Sequence, residues 1–392
     1  MRSERREGVS SYDVAVIGAG SFGSWSAWHL AQAGASVLLL DAWGPGHSRS
    51  SSGGESRIIR MGYGADQIYT RMAMRSLAQW RALFDRAGRT LFHQTGVIWM
   101  ARENEPYSVA TRDTLLRAGV PIEVVPAAEL AARYPQMRLD VPGIFGIYEP
   151  QSGALMARRA VAAVVEQALR CGVTYATEAV SVLAGGGSQA TVHTQSGAPI
   201  RAGTFVFACG PWLPKIFPGV LGKRIYPTRQ EVFFFAPPAG DRRFAPPELP
   251  SWIDFTDPRG PYGIPDLESR GFKLALDRHG PAFDPDTGDR QPSAEGLAEA
   301  RRFLAERFPA LCEAPLTESR VCQYENTSNG DFLIDRHPAF DNVWLVGGGS
   351  GHGFKHGPAA GEYLAQCIRG GRAQEPRFSL ASKSETQQRM VY

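Results

Sequence analysis

The feature that most limits how this chain can fold lies near its start, where a short apolar run, Asp13 to Ile17, leads without a break into Gly18-Ala19-Gly20-Ser21-Phe22-Gly23. A buried strand followed at once by GxGxxG has few structural solutions. Helical patterning continues from about Ser21 to Ala33, and a second apolar run, Ser36 to Leu40, ends in Asp41. This order is that of a nucleotide-binding half. Gly18 allows the tight turn, Gly20 lets the backbone approach a pyrophosphate, Gly23 permits close helix packing, and the helix N-terminus presents unpaired N–H donors. Asp41 falls about 20 residues past the glycines, where an acid grips a ribose hydroxyl. A glycine-rich turn without a ligand is the plain alternative, and the motif alone suits NAD as well as FAD.

One such half does not fill a chain of 392 residues, and that length implies two hydrophobic cores. With 42 basic and 39 acidic residues and a formal charge of +3, there is no global electrostatic case for nucleic acid or an anionic membrane. Small-molecule partners are expected instead. The opening stretch MRSERREGVSSY lacks the apolar run of a signal peptide, and no later stretch is long enough to span a bilayer, so a cytoplasmic protein is expected. The cysteines, Cys171, Cys209, Cys312, Cys322 and Cys367, are odd in number and scattered, against a disulfide framework or a structural zinc site. No HExxH or Cys/His cluster calls for a metal.

Further along, Met156 to Leu169 reads as a helix leading to a strand near Val173. Thr204 to Ala208 and Val343 to Val346 read as strands ending in Cys209-Gly210-Pro211 and Gly347-Gly348-Gly349, which deliver glycine backbone to a cofactor. Residues 223–321, rich in Pro, aromatics and charge, read as a mostly antiparallel sheet with long loops over that cofactor. The expected fold class is α/β, α+β overall. Its Rossmann-like dinucleotide-binding domain takes residues 1–90, 151–222 and 322–392, the last with a C-terminal tail. A discontinuous second domain, residues 91–150 and 223–321, holds the substrate.

Four motifs then carry a resemblance: GAGSFG at 18–23, SSGGESRIIR at 51–60, CQYENTSNGDFLIDRHP at 322–338 and GGGSGHGFKHGP at 347–358. In order and spacing the chain, from about Tyr12 to about Cys367, resembles the monomeric sarcosine oxidase family, which includes pipecolate and N-methyltryptophan oxidases. The resemblance implies FAD, held covalently through its 8α-methyl by Cys322, which opens the CxY motif. Without the family, Cys322 is one thiol among five, and inert packing is the ordinary reading. Arg57 and Arg60 lie three apart, on one face if the segment is helical, and by themselves read equally as a surface ion-pair face.

By resemblance, Arg57 lies beside the flavin ring, Arg60 and Lys355 hold the substrate carboxylate, and the backbone at Gly351 and Phe354 faces the flavin N1 and O2 edge. Lys273, flanked by apolar residues in a probable strand, would sit over the flavin and promote reaction with dioxygen, and Tyr262 would wall the substrate cavity. His352 reads as a structural or flavin-edge hydrogen-bonding residue. The implied activity is oxidation of the C–N bond of a secondary amino acid, N-methyl or cyclic, to an imine with release of hydrogen peroxide, by a protein that works as a monomer.

Three positions depart from the family pattern. Gly53 and Asp277 stand where histidines are usual, and Ala65 follows Tyr63-Gly64 where a glutamate is usual. They leave the cofactor chemistry untouched and put sarcosine itself in doubt. Three rivals stay open: an FAD-dependent dehydrogenase with another electron acceptor, against which Lys273 speaks; an NAD-linked dehydrogenase on the same GxGxxG; and a flavin-binding subunit without turnover.

Overall fold

The computed structural model of the protein describes residues 11–183 and 189–387. Most of the polar amino-terminal stretch and the end of the C-terminal tail lie outside those residues. Two large sheets organise the chain.

The first has six strands in the order Leu333–Arg336, Val343–Gly347, Ala202–Phe207, Tyr12–Ile17, Val37–Asp41, Thr174–Thr177. All neighbours are parallel except the edge hairpin of Leu333–Arg336 with Val343–Gly347. The central strand is apolar on both faces because both are covered. Val14 and Val16 pack with Trp25, Leu30, Val164 and Tyr363 in the helical layer, formed by Ser21–Gln32, Ala157–Arg170 and Gly357–Ile368. Ala15 and Ile17 face the other way, against Phe207, Leu213 and Val192, the last from a small sheet of Val180–Leu183, Thr191–Thr194 and Pro199–Ile200. The strands and helices expected from residues 13 to 41, 156 to 173, 204 to 208 and 343 to 346 are present within one or two residues.

The second sheet has eight strands in the order Leu316–Thr327, Ile225–Phe235, Phe272–Leu276, Pro261–Ile264, Ser251–Asp254, Val97–Arg102, Ile144–Glu149, Glu123–Pro126. It is antiparallel except where Ser251–Asp254 runs parallel to Val97–Arg102. Alternation splits its residues. Phe272 and Leu274 join Phe233, Phe235 and Trp252 in a core capped by Phe303, Leu304 and Phe308, whereas Lys273 and Ala275 share the opposite face with Val232, Phe234 and Tyr262. The helix Ala294–Arg307 that closes the first face was not anticipated within residues 223–321. Ser293 caps it by accepting from the Gly296 N–H, and it buries Ala300, Phe303, Leu304 and Arg307 at helical spacing. The strand Leu316–Thr327 runs through residue 322 without interruption, pairing Gln230 with Cys322.

One local expectation is corrected. Arg57–Ile59 is a strand, paired with Gly153–Leu155, and not a helix. Arg60 lies just past the strand, so the condition under which the two arginines would share a helical face is not met. Among the described residues, no helix is long and apolar enough to cross a membrane, and no group of His, Cys, Asp and Glu side chains is placed to hold a metal ion.

Candidate active site

At the carboxyl ends of the six-stranded sheet opens a cavity of about 680 Å³, running from Asp41, Trp43 and Ser181 past Gly18, Gly20 and Ser21 to Arg57, Cys322, Tyr324, Gly351 and Phe354. The glycine turn shapes it. Gly18 has φ +104°, and a Cβ there would lie 2.4 Å from the Ala208 carbonyl oxygen; one at Gly23 would lie 1.8 Å from the Gly18 oxygen. At Gly20 nothing of the protein comes closer than Ser52 Oγ at 3.5 Å, leaving bare backbone beside the cavity. Gly20 offers no side-chain cap to the helix Ser21–Gln32; Ser52 Oγ accepts from the Ser21 N–H at 3.0 Å, and Ser21 and Phe22 border the cavity. Asp41 accepts from the Ala19 N–H at 2.7 Å through Oδ2 and from the Trp43 and Gly44 N–H groups at 2.9 Å through Oδ1. It ties the second strand to the turn and still borders the cavity. A long channel with glycine walls, a helix start and an acid at the second strand end fits a dinucleotide.

At the far end several chosen residues meet. Arg57 donates to the carbonyls of Ser56 and Ser51 at 2.8 and 2.7 Å and to Cys322 Sγ at 3.6 Å, and its guanidinium lies 6.0 Å from the centre of the Phe354 ring. Lys273 is 2% exposed, with Nζ 2.7 Å from the Ser56 carbonyl and 5.9 Å from the centre of the Tyr262 ring. Burial first, then the Arg57 charge, pushes its pKa well below the ordinary lysine value. Burial also raises the Tyr262 phenol to about 12, with Asp277 adding to it. Tyr324 donates to Asp277 Oδ1 at 2.8 Å. Burial raises the Asp277 carboxyl against the pull of Tyr324, Arg60 and Lys355.

Arg60 and Lys355 form the other side. Arg60 is buried, with its guanidinium 4.6 and 4.7 Å from the Tyr63 and Trp99 rings and donating to the Gly62 carbonyl. Lys355 sits in the turn Phe354–His356 just before the helix Gly357–Ile368, and its Nζ donates to the Tyr63 hydroxyl at 2.8 Å and the His352 carbonyl at 3.2 Å. Burial and then Arg60 depress its pKa well below the usual value. Among the described residues neither Lys273 nor Lys355 is matched by a carboxylate within 4.0 Å. His352 packs on Phe332 and its Nε2 lies 3.0 Å from the Gly330 carbonyl, a structural setting.

Residues that the motifs did not single out complete the surroundings. The Tyr63 hydroxyl is a hub, 2.7 Å from His356 Nε2 as well as 2.8 Å from Lys355. Glu149, fully buried, accepts from the Met61 and Gly62 N–H groups and from Trp99 Nε1, fixing the loop that follows Arg60. Neither lies in a motif with recognisable spacing. Gly53 packs against the His47 carbonyl, where a Cβ would come within 2.0 Å, so a histidine does not fit this backbone.

A mostly parallel sheet with a glycine turn at its switch and a channel that fits a dinucleotide, with buried cations close by, are what an oxidoreductase with a dinucleotide cofactor needs. The chain belongs to the DAO family of FAD-dependent oxidoreductases, whose model matches residues 13–367. It is 31% identical over 375 residues, 93% of each chain, to monomeric sarcosine oxidase of Bacillus sp. (strain B-0618). It is 28% identical over 361 residues, 90% of this chain and 94% of the other, to N-methyl-L-tryptophan oxidase of Yersinia pestis (strain Pestoides F). Its fold matches L-proline dehydrogenase from P. horikoshii with a TM-score of 0.82 at 22% identity, over 95% and 97% of the two chains. FAD is thus the cofactor class, in line with the family resemblance of the motifs.

Proposed function

We propose that this enzyme oxidises the C–N bond of a secondary amino acid, N-methyl or cyclic, with dioxygen as electron acceptor. When bound, FAD supplies the acceptor for a hydride equivalent from the carbon beside nitrogen and passes the electrons to dioxygen, giving an imine and hydrogen peroxide. The observation that carries this reading is the placing of Lys355, buried and with no carboxylate within 4.0 Å among the described residues, within electrostatic reach of buried Arg60 and of Asp277 and Glu149. Burial holds the Lys355 pKa down, and a substrate carboxylate beside it would favour the charged form and offset its desolvation. The names of the relatives, sarcosine oxidase and N-methyl-L-tryptophan oxidase, fit an amino acid with a secondary amine.

In this reading Gly18, Gly20 and Gly23 shape the pyrophosphate turn and Asp41 holds the ribose. Gly351, Phe354 and Arg57 line the cavity and would hold the flavin, the first two through backbone and Arg57 through its charge. Cys322, with Sγ held near Arg57 and the Ser51 carbonyl, would hold the flavin covalently through its 8α-methyl, the bound flavin taking up the two electrons released as the thiol and methyl lose hydrogen. Arg60 and Lys355 clamp the substrate carboxylate and Tyr262 walls the cavity. The dry setting favours the unprotonated amine, and Asp277, within electrostatic reach of both cations, borders the substrate. Lys273 stabilises charge developing on dioxygen; a dehydrogenase with another acceptor has no use for it. The enzyme acts as a cytoplasmic monomer on small molecules.

A panel of N-methyl amino acids, cyclic amino acids and matching amines without the carboxylate, scored by peroxide release, tests the reading. The carboxylated secondary amines should turn over best. Equal or better turnover of the carboxylate-free amines would make it a simple amine oxidase, and reduction by substrate without peroxide would make it a dehydrogenase.

A further inference from the structure

Glu325 follows Tyr324 in the strand Leu316–Thr327, and the alternation of the strand turns it toward the glycine-bearing ends of Ala202–Phe207 and Val343–Gly347. Its Oε1 accepts from the Gly349 N–H at 3.3 Å. Its Oε2 lies 3.1 Å from where a Cβ would stand at Gly347, a tight approach, and 3.7 Å from one at Gly210, an ordinary contact. The carboxyl borders the dinucleotide cavity. Oε2 is buried and has no hydrogen-bond partner among the described residues, although buried polar atoms are nearly always paired. Because the residue lines the cavity, a small shift of its carboxyl would bring it to a group bound there.

The charge state follows from the surroundings. Burial lifts the Glu325 carboxyl to about 7, opposed only by the N–H groups of Gly349 and Gly348. No cation among the described residues forms an ion pair with it, and the acids Glu325 and Asp41 both act on Cys209 from nearby. An ionised Glu325 would also face the negative pyrophosphate of the cofactor. The neutral acid is the form that fits, and its proton needs an acceptor.

We propose that Glu325 is a cofactor-binding residue whose neutral carboxylic acid donates a hydrogen bond to an oxygen of the ribityl–pyrophosphate chain of FAD. The carboxyl ends of a doubly wound sheet are where that chain lies. Binding then favours the protonated acid. FAD affinity is flat below about pH 7 and falls toward about tenfold per pH unit above it, because a proton must be taken up with the cofactor.

The inference rests on FAD as cofactor and is independent of the substrate reading. The test measures FAD dissociation by flavin fluorescence from about pH 5.5 to 9 in a Cys322→Ala background, where the cofactor exchanges freely. Glu325, Glu325→Gln and Glu325→Ala are compared, with the melting temperature of each apoprotein. The glutamine variant, which keeps a donor and cannot ionise, should bind FAD tightly with no decline above pH 7. The alanine variant should bind about tenfold or more weakly at pH 6, also without a decline. The same decline in Glu325→Gln as in the parent, or parental affinity at pH 6 in Glu325→Ala, would overturn the proposal. A purely structural acid would lower the apoprotein melting temperature in the alanine variant and leave the pH slope of affinity in place in the glutamine one.

Discussion

Burial beside Arg57 depresses the pKa of Lys273, and the direction of that shift fixes how the proposed oxygen step responds to pH. The cation exists only below the depressed value, so reoxidation of the reduced flavin should be fastest at low pH. It should slow as pH rises through a midpoint below the ordinary lysine value of about 10.4. Lys273→Met should slow reoxidation by about a hundredfold, leave reduction by substrate nearly unchanged and abolish that pH dependence. Stopped-flow traces of the two half-reactions decide it, and wild-type reoxidation in the variant would remove Lys273 from the role. The same substitution should raise the melting temperature near neutral pH, since folding no longer requires a buried ammonium to be desolvated or to give up its proton. Arg60→Met or Lys355→Met should raise KM for carboxylated substrates by about tenfold, with kcat falling too if positioning is lost. At Cys322 the check is optical: acid-precipitated wild-type protein should stay yellow and Cys322→Ala should lose its colour to the supernatant.

The side chains gathered around the channel were legible in the sequence wherever a local spacing or an unusual neighbour marked them. Gly18, Gly20 and Gly23 are separated by fixed offsets; Lys273, in a strand of apolar residues, could by sequence point inward or snorkel to the surface, and only the family resemblance gave it a role. Glu149 carried no such mark, and Tyr63 and His356, although they stand in the Tyr63-Gly64 pair and the GGGSGHGFKHGP motif, have no role assigned there. Their proximity to Arg60 and Lys355 arises from long-range contacts, such as the Glu149 carboxylate on the Met61 N–H, that no spacing encodes.

Among elements, the segment around Arg57 shows why local pattern misleads. Three-residue spacing of two arginines suits a helix, yet pairing with Gly153–Leu155 makes Arg57–Ile59 a strand, and tertiary hydrogen bonding overrides the pattern. The helix Ala294–Arg307 had the opposite fate, its Ser293 cap and apolar spacing lost in a region dominated by turn residues. Its end is fixed by an ion pair: Arg307 Nε donates to Asp254 Oδ2 at 2.9 Å and its Nη2 to Thr256 Oγ1 at 3.1 Å, with Asp254 wholly buried. Arg307→Ala should therefore cost about 3–5 kcal/mol by leaving that carboxylate uncompensated. Chemical denaturation measures it, and the Asp254→Ala/Arg307→Ala pair should lose less than the sum of the single changes. A loss under about 1 kcal/mol would mean that the carboxylate is relieved by water.

For the molecule as a whole, the six-stranded sheet draws its strands from the first 41 residues, from 174–177 and 202–207, and from 333–347, with the eight-stranded sheet threaded between. That interleaving has a consequence for the birth of the protein on the ribosome. The glycine turn leaves the exit tunnel early, yet the strand Val343–Gly347 that flanks Ala202–Phe207, and the helix Gly357–Ile368 that backs Ser21–Gln32, are translated last. The nascent chain thus carries an unfinished, partly apolar sheet edge for most of its synthesis, open to chaperones and to mispairing. Cofactor capture waits until residues 333–368 have emerged, and chains arrested before residue 333 should emerge colourless however much FAD is supplied.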